Sequence, residues 1–215
     1  MSQMQSSFDE RARFVILWIL ADTWYPVLAA AAMSWLILDD LLPLKAMFFL
    51  AMPIGALCQV PLLRGRVDKV WLWPLAGLAA AIALEILTAL ILLPASQEIF
   101  AAKGSGLTLW LPYFLLSAAL AGIALGGSQA VAMARWKLAP GGWFVVVLGA
   151  SLIAGTVSGV IWFMSGAAAA GPDAGFSIGA VIAAAVRQVG FGAITGVFLW
   201  QVLKQRSVDA AAGRP

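Results

Sequence analysis

Three ionisable side chains lie inside long apolar runs of this chain: Asp22, Glu85 and Arg187. Arg187, followed by Gln188, falls near the middle of an apolar stretch over 176–203. That stretch is long enough to cross a bilayer, which takes about 20 apolar residues. An arginine at mid-bilayer costs at least ~3 kcal/mol, so Arg187 must face the protein interior and have a partner there. Each of the three charges has two readings. A buried carboxylate serves as a proton or cation site, or it is simply neutral or reaches water. A buried guanidinium serves as a counter-ion to a ligand or a gate, or it clamps helix register.

Depth suggests which of them meet. At about 1.5 Å per residue, Glu85 lies roughly 13 Å from the helix end at Pro94, and Arg187 roughly 16 Å from Phe176. The two are therefore expected to form an ion pair. Small neighbours allow close approach: Ala81, Thr88 and Ala89 beside Glu85, and Ala183, Ala184 and Gly190 beside Arg187. Asp22 lies roughly 13 Å from Arg13. That places it at the inner depth of Gln59 and Gln129, and these three are expected to form a polar floor. The candidate site is thus Asp22, Gln59, Glu85, Gln129, Arg187 and Gln188.

The elements that must position these groups follow from composition. The chain has 215 residues, 63% hydrophobic and 11% charged. Its mean hydropathy is +0.97. No soluble domain of this length hides so much apolar surface. The pattern predicts an all-α integral membrane protein with six transmembrane helices over 14–38, 44–63, 70–93, 107–134, 143–164 and 176–203. The segments 1–13 and 207–215 read as short cytoplasmic tails. Arg11 and Arg13 ahead of an apolar run would suit a cleaved signal, but the run is too long and Asp22 interrupts it. Segments of about ten alternating residues, which a transmembrane β-barrel needs, do not occur.

Basic residues set the orientation. Arg11, Arg13, Arg64, Arg66, Lys69, Arg135, Lys137, Lys204, Arg206 and Arg214 fall on one side, and only Lys45 and Lys103 on the other. Both termini are expected in the cytoplasm, in a bacterial inner (plasma) membrane. Trp71, Trp73, Trp136, Trp143 and Trp200 lie near inner span ends, where interfacial anchoring is the ordinary role of tryptophan.

A repeat runs through the chain. Gln59 precedes Arg64 and Trp73; Gln129 precedes Arg135 and Trp143, about 70 residues later. The sixth span closes with a similar run from Leu199 to Arg206, at the same offset. This predicts three tandem parallel helical hairpins around an axis near the membrane normal. Small residues recur at four-residue spacing: Ala118, Gly122 and Gly126; Ser151, Gly155 and Gly159; Gly192 and Gly196. Each series lines one helix face and favours close helix packing in lipid.

Much chemistry is excluded. With no histidine, the chain has no His-zinc site, no His-ligated haem and no Ser-His or Cys-His pair. A single cysteine, Cys58, removes any internal disulfide or Cys-cluster metal site. The net charge of +3 is spread over span ends, which argues against nucleic-acid binding. Asp39-Asp40 lacks a third aspartate, and Gly104-Ser105-Gly106 lacks a base. No catalytic residues, cofactor or metal site can be assembled.

With enzyme function left open, two readings lead: a small transport or substrate-binding membrane subunit, and a non-catalytic scaffold or assembly factor of a larger membrane complex. The partners expected are the lipid bilayer, with a membrane protein or a second copy of the chain. In size and helix count the chain resembles the small six-helix substrate-capturing subunits of vitamin importers, which implies capture of a small molecule.

Overall fold

The computed structural model describes residues 2–35, 41–101, 107–165 and 178–212. The expected outer connections therefore lie largely outside the described residues. Helix α1 is Ser2–Trp35 and α2 is Leu41–Leu63. Helix α3, Leu72–Leu87, runs through a π-helical segment, Thr88–Leu92, into α4, Leu93–Ala101. Then come α5 (Leu107–Arg135), α6 (Pro140–Met164) and α7 (Ile178–Ala211). No strand is present among the described residues.

Two boundaries differ from the sequence pattern. The polar segment ahead of Phe14 is helical from Ser2 onward, because no glycine or proline interrupts the chain before Pro26. The third span does not stop at Leu93. Pro94 has no N–H to give to a carbonyl four residues back, which would ordinarily break a helix. Here the chain widens by one residue instead: the N–H of Leu93 reaches the carbonyl of Thr88. Such a π turn lets the helix pass the proline.

Four helical stretches are long and apolar enough to cross a membrane: Leu72–Gln97, Trp110–Arg135, Pro140–Met164 and Ile178–Ala211. The described apolar part of α2, Phe49–Leu63, is shorter. Leu90, Val131, Val145, Ile153 and Ile178 all point outward and are exposed. In water that surface would be costly; against lipid it is the expected face.

With α3 and α4 taken as one rod, six rods are described. Among the described residues each rod packs on the one before it and the one after it, and α7 returns to pack on α1. The rods close a ring around an interior. Small residues bring its neighbouring members close. A Cβ added to Gly155 of α6 would fall 2.7 Å from the Cβ of Ala118 on α5. One added to Gly77 of α3 would meet Ala56 and the Met52 carbonyl of α2 at 3.0 Å. Gly192 of α7 faces the Ile19 backbone of α1 in the same way, at 3.1 Å.

The turn between α5 and α6 carries a left-handed Lys137, φ 56°, with the Leu138 N–H donating to the Met133 carbonyl at 2.9 Å. Glycine usually holds this helix-closing position. Pro140 then opens α6 at its first turn, where its missing N–H is harmless. Lys137→Gly should raise stability by roughly 0.5–1 kcal/mol, the left-handed cost of lysine less the extra chain entropy of glycine. Thermal denaturation in detergent reads this directly, and a destabilised variant would contradict it.

Candidate functional site

The ring encloses a cavity of about 700 Å³. All six candidate residues line it: Asp22 from α1, Gln59 from α2, Glu85 from α3, Gln129 from α5, and Arg187 and Gln188 from α7. Helix α6 adds Ser151 and Ser158. Gln59 and Gln129 are buried, Asp22, Arg187 and Gln188 are half-buried, and Glu85 is exposed. The exposure of Glu85 is consistent with its place on the cavity wall.

The floor is built from indole–amide bonds. Trp73 donates its Nε1–H to Oε1 of Gln59 at 2.7 Å. Trp143 does the same to Gln129 at 3.1 Å. In both pairs the residues are 14 apart. Indole nitrogen can only donate, so each glutamine must turn its oxygen toward the ring. The amide nitrogen of Gln59 is then left facing the other way, and it reaches Oδ1 of Asp22 at 3.4 Å. A third indole, Trp18, donates to Oγ1 of Thr195 at 3.2 Å, and the Thr195 hydroxyl donates to the Phe191 carbonyl at 2.9 Å.

The rings themselves form one aromatic layer. Trp73 lies 6.0 Å from Trp18 and 5.5 Å from both Trp136 and Trp143, centroid to centroid. Phe14 extends the layer to Trp200 at 5.4 Å. This corrects the reading of these tryptophans as interfacial anchors. Trp71 fits that role at 55% exposed, but Trp73, Trp136, Trp143 and Trp200 are buried. The reason is chemical for Trp73 and Trp143. An indole N–H must find an acceptor, and interior glutamines supply what interfacial water otherwise would. Trp18 and Thr195 escaped the sequence reading altogether. Trp18 sits four residues before Asp22, hence on the same helix face, and that spacing was the available signal.

The expected Glu85–Arg187 ion pair is not formed. Among the described residues no contact within 4.0 Å joins Arg187 to either carboxylate. Glu85 and Arg187 share a depth, but α3 and α7 are not neighbours in the ring, and the cavity stands between them. The carboxylate on a rod that does adjoin α7 is Asp22, on α1, and it lines the same cavity as Arg187. Asp22 lies beside two glycines, Gly55 and Gly192. A Cβ on Gly55 or Gly192 would come within 3.9 and 3.7 Å of its carboxylate oxygens. Oδ2 of Asp22 is buried without a hydrogen-bond partner. The polar floor of Asp22, Gln59 and Gln129 is thus present in part: Gln59 touches Asp22, while Gln129 serves Trp143.

Aromatic groups complete the walls, with Trp18, Trp143 and Phe191 near the floor and Phe114 and Trp162 on α5 and α6. Among the described residues no three His, Cys, Asp or Glu side chains converge as a metal site would require. The arrangement can bind a small molecule that presents charge and apolar surface together. No family model matches this chain, and neither a curated protein nor a solved structure is significantly similar to it.

Proposed function

We propose that this protein is a small transport or substrate-binding membrane subunit of the plasma membrane. All six rods cross the bilayer, both termini are cytoplasmic, and the aromatic floor lies at the cytoplasmic end. The observation that carries this reading is the cavity: about 700 Å³, inside an apolar ring, lined by three charged side chains that form no ion pair within 4.0 Å among the described residues. Volumes of roughly 300–1,000 Å³ suit a small organic ligand. A scaffold works through its outer faces and gains nothing from a charged void, which lowers packing energy and leaves charges uncompensated.

The three-hairpin repeat belongs to the same proposal, with α1–α2, α3/α4–α5 and α6–α7 as its units. It is supported by the indole bonds, each of which joins the second helix of one unit to the first helix of the next. Gln59–Trp73 links α2 to α3, Gln129–Trp143 links α5 to α6, and Thr195–Trp18 links α7 back to α1. Three units meeting at one floor make a vestibule with the cavity above it.

A thermal-shift screen of the purified protein in detergent, against ions and small metabolites, tests the function. A ligand present at 100 times its dissociation constant should add about 2.7 kcal/mol to the stability of the folded state. If nothing shifts the transition and a stoichiometric membrane protein co-purifies, the scaffold reading replaces this one.

A further inference from the structure

Resting on the substrate-binding reading, we infer that the cavity selects a small zwitterion with an apolar body, its anionic group held by Arg187 and its cationic group by Asp22. The two residues lie on adjoining rods, α7 and α1, and line one cavity. Neither is neutralised by the other at contact distance, since no ion pair within 4.0 Å joins them. Arginine keeps its charge at any working pH. Arg187 makes no hydrogen bond to protein among the described residues, so a group that fills the cavity beside it must bring acceptors. Its planar fork suits a carboxylate or phosphonate-like anion.

Asp22 asks for the opposite charge. One of its oxygens takes the Gln59 amide at 3.4 Å, and the other has no partner. Gly55 and Gly192 pack beside the carboxylate, and a Cβ on either would lie in ordinary contact with it, at 3.9 and 3.7 Å. The indole of Trp18 lies one turn away on the same face and lines the same cavity. A carboxylate beside aromatic rings is the chemistry that holds an ammonium group. The remaining walls, from Phe114, Trp143, Trp162 and Phe191, suit an apolar or aromatic body. An anion alone would leave Asp22 uncompensated, and a cation alone would leave Arg187 so. A ligand with both charges satisfies both at no net charge of its own, and leaves Glu85, the exposed carboxylate of the cavity wall, to water.

Three probes with one body separate the possibilities: L-phenylalanine, 2-phenylethylamine and 3-phenylpropanoate. Binding to the full chain in detergent is followed by thermal shift and by the tryptophan fluorescence of Trp18, Trp143 and Trp162, all cavity-lining. L-Phenylalanine should bind at least tenfold more tightly than either truncated probe. Arg187→Gln should erase its advantage over the amine, and Asp22→Asn its advantage over the acid. The wild-type comparison stands even if a variant fails to fold. Equal binding of the amine and the zwitterion, or of the acid and the zwitterion, overturns the proposal. Absence of binding by all three overturns it too. In that case a non-zwitterionic hit in the metabolite screen would leave the substrate-binding reading standing, and no hit at all would remove both.

Discussion

Replacing Trp73 by alanine should lower the unfolding free energy by about 3–5 kcal/mol, the range for emptying a buried tryptophan site. Trp73 is fully buried and touches four other parts of the floor: Trp18, Trp136, Trp143 and the Gln59 amide. The loss has two sources. The cavity left behind forfeits packing contacts, and the Gln59 oxygen loses its donor in a buried place, which costs about 1–3 kcal/mol by itself. The second source can be isolated. Gln59→Leu removes the acceptor, and the double variant with Trp73→Ala should be less destabilised than the sum of the singles, because both singles break the same bond. Denaturation followed by circular dichroism in detergent gives all three values. A Trp73→Ala protein within about 1 kcal/mol of the parent would mean that the floor is not packed as described.

Gly155→Leu should be comparably severe. Its Cβ position is only 2.7 Å from that of Ala118 across the α5–α6 contact, so even a methyl group forces the helices to move. Overpacking costs typically about 1–3 kcal/mol, and a full isobutyl group between two backbones belongs at or above that upper end. The expected result is a strongly lowered melting temperature, with fluorescence showing a displaced Trp110–Trp162 pair at that end of the contact, where the rings now lie 5.9 Å apart. Gly127→Leu on α5 is the control, since a Cβ there meets nothing within 4 Å. If both variants melt alike, the close approach of α5 and α6 is not what the small residues provide.

The helical class, the membrane character and six of the polar and charged residues that line the cavity were legible in the sequence. They follow from run length and from the cost of placing Asp22, Glu85, Arg187 and the glutamines among apolar neighbours. The small-residue faces were legible too: Gly122 packs against Leu148 and Ser151, and Gly155 against Ala118, as spacing by four implies. What failed was azimuth. Counting residues fixes depth along a helix but not the direction a side chain takes around the ring, so shared depth matches Glu85 with an arginine on a rod that its own does not touch. In a soluble helix the apolar stripe points to the core and resolves this. Here both faces are apolar, one toward lipid and one toward protein, and the stripe carries no such information. The tryptophans misled for a related reason. An indole near a span end has the same residue pattern whether its N–H meets interfacial water or an interior amide, and only the matched glutamines, Gln59 and Gln129, distinguish the two.

The closed ring has a consequence for how the protein is made. Nearly every rod-to-rod contact joins neighbours in the chain, so hairpins can assemble as they leave the translocation machinery, with little loop-closure entropy to overcome. The seam between α1 and α7 is different. Its Trp18–Thr195 bond spans 177 residues, so it cannot form until almost the whole chain has been synthesised. Until then the Gly192 side of the Asp22 carboxylate is missing. Before α7 is made, the face of α1 that carries Trp18 and Asp22 lacks its α7 side. That interval is when a membrane chaperone or a quality-control protease would recognise it, and a truncation that removes α7 should be degraded rather than accumulate.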